Sequence, residues 1–506
     1  MNPLFILSKQ CLPPKQAIKS SQRFISRSIS TTPSLLRSEL PEACPKGVLA
    51  GIKTIKSKSE TKLASKAVHG QKNSHHAPDS NSGGWGKLLF VLGGATAGTA
   101  LAIENGYTKY GGLKEAYADF VDSYAMPAVR MLDPETAHNI AVISTQYGFA
   151  PKDWTVDPPS LKVELWGLTF PNPVGMSAGF DKHGQAVDGL LDSGFGHVEV
   201  GSVTPLPQEG NPKPRMFRLL EDKGIINRYG FNSEGLAKVS DRLSQRPLRE
   251  APGVVGANVG KNKTSESAEE DYSKGIVALG PHVDYLVVNV SCPNQTGVAA
   301  LQAKGSLTSI IKASLAARDK LEKKVPLLVK IGPDLTMEGK HSVARTCMEL
   351  GVDGLVVSNT TTQRPDSLKS EHRGEVGGLS GAPLKELSTG TIRDMYRLTQ
   401  GKLPIVGSGG VANAEDVLEK IEMGASLVQI YSMLVYQGPG CVPKMKKELA
   451  LLLKERGYSS ITEAVGAKNT LSPPPDACRN GTCPVAHDQK GTAPARKRKW
   501  YLLWLL

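Results

Sequence analysis

From Asn172 onward the apolar positions of this chain gather into eight short β-rich runs, separated by longer stretches compatible with helices. The runs are Pro173 to Ser177, His197 to Val203, Val254 to Val259, Tyr285 to Val290, Pro326 to Ile331, Gly354 to Ser358, Pro404 to Gly407 and Ser426 to Tyr431. Each is followed by enough chain for a helical crossover to a parallel neighbour. Eight such units in a row predict an α/β fold, a closed (β/α)8 barrel. An open doubly wound sheet is the alternative, but it ordinarily carries a G-x-G-x-x-G turn after its first strand, and none follows here.

Upstream the spacing becomes helical. Leu113, Tyr117, Phe120, Val121 and Tyr124 share one face, and a second helix is expected from Asp133-Pro134, with Ile140, Ile143 and Tyr147 following. This hairpin, residues 105–150, is compatible with simple packing on the barrel or with a membrane-facing mouth for a lipophilic substrate. Before it, Leu88 to Ile103 are sixteen residues without a charge. At the helical rise they cover roughly 24 Å, enough to span if Trp85 and its neighbours sit at the interface. Gly93, Gly94 and Gly98 weaken a soluble helix more than a membrane one, so residues 85–104 are read as a single transmembrane anchor.

Composition refines the ends. The 506 residues carry a formal charge of +13, a value that raises nucleic acid or an anionic membrane as partner. The charge is terminal, with a net of +9 in residues 1–80 and +5 in residues 467–506, so the centre is near neutral and no nucleic-acid partner is expected. Met1 to Arg37 hold six Lys/Arg and no Asp/Glu among many Ser and Thr, the composition of a mitochondrial transit peptide, here bounded at residues 1–39. Residues 40–84 read as linker, 151–466 as the barrel and 467–506 as a disordered tail. That tail ends in a basic run, Arg496 to Lys499, followed by Trp500-Tyr501-Leu502-Leu503-Trp504-Leu505-Leu506. Seven thinly spread cysteines predict free thiols, and Cys478, Cys483 and His487 lack the spacing of a metal site, so no metal is expected.

In such a barrel the chemistry collects where the strands end. The residues there include Ala178-Gly179-Phe180-Asp181-Lys182, Gly201-Ser202, Asn258, Asn289 through Asn294, Lys330, Asn359-Thr360, Gly409-Gly410 and Tyr431-Ser432. Amides, hydroxyls and two lysines suit a planar, amide-rich, anionic ligand, since Asn both donates and accepts and Lys adds positive charge. There is no acid pair for glycoside hydrolysis. Gly407-Ser408-Gly409-Gly410 and Tyr431-Ser432 occupy the places where these barrels often hold a phosphate, and a second cluster, Gly377-Gly378-Leu379-Ser380-Gly381, is expected in the loop after the sixth strand.

Several long strings occur together in one order: Ser177-Ala178-Gly179-Phe180-Asp181-Lys182, Gly201-Ser202-Val203-Thr204-Pro205, Asn227-Arg228-Tyr229-Gly230-Phe231-Asn232, Asn258 to Thr264, Asn289-Val290-Ser291-Cys292-Pro293-Asn294 and Gly377 to Gly381. From about Tyr110 to Gly466 the chain resembles the class 2, quinone-linked dihydroorotate dehydrogenases. The resemblance implies FMN bound by Ala178, Gly179, Ser202, Asn258, Lys330, Ser358, Gly381, Gly410, Tyr431 and Ser432. It implies orotate held by Lys182, Asn227, Asn289, Asn294, Asn359 and Thr360, with Phe231 lining the substrate side. A base takes the C5 proton of dihydroorotate, a hydride leaves C6 for the flavin, and Lys330 is the cation that stabilises the reduced ring. His138, Arg218 and Tyr431 match positions lining the family's ubiquinone tunnel. By the same resemblance the enzyme serves de novo pyrimidine biosynthesis from the inner mitochondrial membrane, its catalytic domain facing the intermembrane space.

The pattern is broken in two places. Cys292 stands where the quinone-linked class carries a serine base; a thiol's reference pKa of ~8.5 makes it the easier base of the two. Gln295-Thr296-Gly297-Val298-Ala299 departs from the usual T-x-G-L-R run of the loop over the substrate. A 2-hydroxyacid oxidase would need a catalytic His and paired Arg that the strand ends do not offer. A catalytically silent flavin-binding relative is the rival of another class, because fold alone does not establish activity.

Overall fold

The computed structural model describes residues 117–246, 253–295 and 297–469. Thirteen strands occur among them: β1 (Val163–Leu165), β2 (Leu168–Phe170), β3 (Val174–Met176), β4 (His197–Val203), β5 (Met216–Leu219), β6 (Gly224–Asn227), β7 (Val254–Val259), β8 (Tyr285–Asn289), β9 (Leu327–Ile331), β10 (Gly354–Val357), β11 (Gly378–Gly381), β12 (Ile405–Ser408) and β13 (Leu427–Ile430). Strands β3, β4, β7, β8, β9, β10, β12 and β13 pair in that order, all parallel, and β13 returns to β3 to close the barrel. Each coincides with one of the eight apolar runs. Their residues are almost wholly buried because helices cover the outer wall, which is why the runs read as continuous rather than alternating.

The longest gaps between runs carry extra structure. The crossover from β4 to β7 contains the β5–β6 hairpin, and that from β10 to β12 contains β11; the three form a small antiparallel sheet in the order β11-β6-β5. The second glycine cluster is therefore strand rather than loop. Gly378 pairs with Asn227, and a Cβ on Gly378 would lie 2.0 Å from Thr360 Oγ1, so the absence of a side chain lets this sheet close over the barrel mouth.

The opposite end is plugged. The hairpin β1–β2 brings Trp166 against Tyr285 and Phe170 against His197, the first residues of β8 and β4, and Trp166 Nε1 donates to Asp353 O at 2.8 Å. His197 is fully buried, neither ring nitrogen has a partner, and burial pushes its pKa down to about 3. Its ring fits only because Gly175 stands opposite.

The helical segment before the barrel passes through a π turn at Val121–Ala125, continues as Met126–Arg130, and is followed by a second helix, Pro134–Gln146. Asp133 caps the second by accepting from Thr136 N at 2.9 Å, with proline at the first helical position. The apolar faces are less simple than the spacing suggested: Tyr117 is buried, whereas Tyr124, Ile143 and Tyr147 are exposed. The chain also stays packed slightly past the expected boundary at Gly466, since Asn469 is buried and donates to Arg393 O and Met423 O at 3.0 and 2.8 Å. Among the described residues no helix is long and apolar enough to cross a membrane, and Cys292, Cys347 and Cys441 are free thiols. The transit peptide, the linker, the anchor at 85–104, the terminal basic-aromatic segment and Cys478, Cys483 and His487 lie outside the described residues.

A Cβ at Gly175 would stand 2.1 Å from His197 Nε2, against a ring held by Phe170 and Tyr285. Gly175→Ala is expected to destabilise the barrel by about 2–4 kcal/mol, with denaturant unfolding as the check. A variant as stable as the wild type would show that the plug is not tightly packed.

Candidate active site

The C-terminal ends of the strands open into a cavity holding ≈ 1150 Å³ of empty space, including its open mouth. Ala178, Gly179, Lys182, Ser202, Asn227, Phe231, Asn289, Cys292, Asn294, Lys330, Ser358, Asn359, Thr360, Gly381, Gly410, Tyr431 and Ser432 all line it. Of the residues expected in the cofactor and substrate sets, only Asn258 is outside the lining. It sits one layer deeper, fully buried, accepting from Ser202 Oγ and from Asn289 Nδ2, the latter at 3.2 Å.

Lys182 owes its position to the residue before it. The buried Asp181 carboxylate accepts the backbone N–H groups of Gln185 and Ala186 at 2.9 and 2.7 Å, folding the segment back on itself. Lys182 Nζ then donates to Gly179 O at 2.8 Å and lies 4.3 Å from the centroid of the Tyr229 ring, while the Arg215 guanidinium packs against the same ring at 4.9 Å. Burial lowers the Lys182 pKa to about 8, partly opposed by the Glu135 carboxylate and reinforced by the Arg215 charge.

Cys292 is buried among Phe231, Val298 and Leu301. Burial pushes its thiol up to about 11, against the smaller pull of the Asn294 and Gln295 backbone N–H groups and the Lys330 charge. The reference value used in reading the sequence is thus corrected upward, because the pocket withholds water from the thiolate. The altered loop after Cys292 is held by its own residues: Gln295 Nε2 donates to Lys261 O at 2.9 Å, and Val298 is fully buried beside the thiol. Asn294 Nδ2 donates to Asn227 Oδ1 at 3.2 Å, tying this loop to β6.

A second cavity lies between the N-terminal helices and the barrel. Its wall is largely apolar, with Val121, Met126, Ile140, Phe149 and Leu434 among its residues, and its polar groups include His138 and Arg218. Tyr431 and Met216 line both cavities. His138 Nδ1 is 3.3 Å from Tyr431 Oη, and His138 Nε2 is 3.4 Å from Lys182 Nζ. Burial, followed by the Lys182 charge, holds the His138 pKa well below its ordinary value. Arg218 donates to Arg130 O and Leu132 O at 2.9 and 2.8 Å, fixing the turn between the two helices, while its Nε is buried without a partner.

Reading the sequence passed over Glu199, Gln429 and Tyr229. The signal for Glu199 was available: in a barrel strand alternate residues face inward, so a carboxylate at the centre of His197-Val198-Glu199-Val200-Gly201 enters the interior.

A parallel barrel whose strand ends form a polar cavity, with an apolar one beside it across Tyr431 and Met216, suits an enzyme handling one polar and one lipophilic partner. The family model for dihydroorotate dehydrogenase matches residues 160–453. Dihydroorotate dehydrogenase (quinone), mitochondrial, of Mus musculus is 53% identical over 355 residues, covering 69% of this chain and 90% of the mouse protein. Dihydroorotate dehydrogenase (quinone) of Azorhizobium caulinodans is 51% identical over 345 residues, covering 67% of this chain and 97% of its own. The crystal structure of DHODH from Eimeria tenella in complex with ferulenol superposes with a TM-score of 0.65 at 42% identity, covering 67% of this chain and 98% of that one. The chain belongs to the dihydroorotate dehydrogenase family.

With its pKa lowered to about 8, Lys182 would offer its charge to an anion below that value and lose it above. Affinity for orotate is expected to be level below neutrality and to fall up to about tenfold per pH unit beyond the lysine's pKa, with Lys182→Met weak and pH-independent. Titration of the flavin spectrum with orotate from pH 6 to 10 checks this; affinity level to pH 10 would remove Lys182 as the anion contact.

Proposed function

We propose that the chain oxidises (S)-dihydroorotate to orotate with FMN as hydride acceptor and ubiquinone as final acceptor, in de novo pyrimidine biosynthesis. The observation that carries this reading is the pair of cavities, one polar and one apolar, meeting at Tyr431 and Met216. A redox group held in the polar cavity would have the apolar one beside it, across Tyr431 and Met216.

The polar cavity fits a flavin mononucleotide. Gly381 and Gly410 line it with positive φ, and a Cβ on them would meet Lys223 O at 2.4 Å and Lys385 Cα at 2.3 Å, so only glycine fits at these two turns of the lining. Gly381, Gly410, Tyr431 and Ser432 are assigned to the phosphate end, and Ala178, Gly179, Ser202, Asn258, Lys330 and Ser358 to the remainder. A bound FMN would supply the hydride acceptor for C6 of dihydroorotate and the electron donor for the quinone.

The chain's own residues do the rest. Lys182 supplies the charge for the substrate carboxylate, and Asn227, Asn289, Asn294, Asn359 and Thr360 offer donors and acceptors to the edges of the pyrimidine ring. Cys292 is the base that receives the C5 proton. Phe231 and Val298 exclude water from it, which raises the thiol's proton affinity and so strengthens the thiolate once formed. Lys330, buried near the end of β9, would supply a positive charge to the bound cofactor. In the apolar cavity the unpartnered Arg218 Nε and the neutral His138 ring are the polar contacts for a quinone carbonyl. Residues 1–39 are assigned to mitochondrial import and 85–104 to a single-pass inner-membrane anchor, with the catalytic domain towards the intermembrane space; the relatives named as mitochondrial support the organelle alone.

Anaerobic mixing with dihydroorotate, followed by flavin bleaching, tests the reaction. With a thiol pKa of about 11, bleaching at saturating substrate is expected to accelerate from pH 6 to 10 without a plateau. Cys292→Ala should lose roughly 10²–10⁴-fold, and a flavin-loaded wild type that never bleaches would leave only a silent relative. For the second site, His138→Ala is expected to raise the quinone KM several-fold while leaving dihydroorotate-driven bleaching unchanged. Steady-state assays with a short-chain quinone check it, and an unchanged KM would remove His138 from that site.

A further inference from the structure

Glu199 lies inside the barrel on β4, two residues before Gly201-Ser202, and is completely buried. A carboxylate in that position must have all its hydrogen-bonding capacity directed at protein groups. Its Oε1 accepts from Asn258 Nδ2 at 2.7 Å and lies 3.7 Å from Lys330 Nζ, while Oε2 accepts from Gln429 Nε2 at 2.6 Å. Four strands of the wall, β4, β7, β9 and β13, therefore converge on one charged group.

An ionised carboxylate accepts hydrogen bonds and donates none. Both amides must turn their NH2 groups towards it, so Asn258 Oδ1 has to point the other way, where it accepts from Ser202 Oγ and from Asn289 Nδ2. That in turn directs Asn289 Oδ1 towards the cavity, where it accepts from Asn359 Nδ2 at 3.4 Å and from Ser291 N at 3.3 Å. Asn359 Oδ1 then accepts from Thr360 N at 2.8 Å. An asparagine amide left to itself exchanges its two ends at little cost. Here a flip at Asn258 would set oxygen against the carboxylate and NH2 against the Asn289 NH2, two repulsive contacts in a dry interior.

We infer that Glu199 is a positioning residue that fixes the direction of a relay of three asparagine amides, and so decides which ends of Asn289 and Asn359 meet the pyrimidine, while serving as the counter-charge of Lys330. This rests on the reading of the polar cavity as the pyrimidine site. Glu199 touches no substrate atom in this account; it acts through Asn258.

The test uses the full chain with its flavin and compares the wild type, Glu199→Gln and the double variant Glu199→Gln, Gln429→Glu. In the single variant residue 199 has one acceptor end and one donor end, so either neighbouring amide can turn to meet it and the relay loses its fixed direction. In the double variant residue 199 accepts from Asn258 through its oxygen and donates to the new carboxylate at 429, restoring the direction without restoring the original charge position. Orotate affinity, read from perturbation of the flavin spectrum, is expected to fall about tenfold or more in the single variant. It should recover to within about threefold of wild type in the double variant. Unchanged affinity in Glu199→Gln overturns the inference, as does a folded double variant that binds no better than the single one. Should Glu199→Gln alone fail to fold, the double variant decides by the same criterion, since a requirement for the carboxylate merely at position 199 predicts no recovery. A flavin-loaded wild type that binds no orotate would instead refute the pyrimidine-site reading.

Discussion

Closing eight parallel strands into one ring forces alternate side chains of every strand into a single narrow interior with no room for water. That confinement governs the rest of the molecule. At the floor it is met by rings: Tyr285, His197, Phe170 and Trp166 fill the entrance of the barrel, with Gly175 and Gly256 yielding the space they need. One layer up it is met by Asn258, Lys330 and Gln429 gathered around the Glu199 carboxylate. Only above that layer does the interior widen into a cavity. The polar middle layer is thus both the ceiling of the core and the foundation of the site.

The same shortage of water explains the direction of the unusual titrations. Cys292, Lys182 and His138 belong to three different segments, yet each is moved towards its neutral form chiefly by burial. In the proposed reaction, where Cys292 is the base, a raised thiol pKa makes its thiolate the stronger proton acceptor. For Lys182 burial works against the cation, while Gly179 O and the face of the Tyr229 ring work for it.

The two N-terminal helices add a second environment without disturbing the first. They meet the barrel through Arg218, which holds the turn between them, and through Glu135, whose carboxylate pairs with Arg215 at 2.8 and 3.1 Å. Arg215 packs on Tyr229, so the helix that lines the apolar cavity is tied to the wall of the polar one. Communication between the two sites needs no long pathway, because Tyr431 and Met216 belong to both.

The eight strands were legible in the sequence because a parallel barrel wall is buried on both faces, and a short unbroken run such as Leu327-Leu328-Val329 has few other uses. The residues at the strand ends were legible for the same reason: once the barrel is recognised, position along a strand gives position at the rim. Composition separated the charged termini from a neutral centre. Local pattern does not carry what depends on closure. That Gly378 to Gly381 form a strand was decided by a partner, β6, about 150 residues away in the chain. That Cys292 has a pKa near 11 rather than that of a free thiol was decided by Phe231, Val298 and Leu301 folding over it. Glu199 is the sharpest case. Its neighbours in sequence are apolar and say nothing of a role, and only the meeting of four strands supplies the donors that turn a buried charge into the group orienting the site. Sequence determined which residues reach the interior, because periodicity is local; tertiary structure decided what each meets there, because contact across a closed barrel is not.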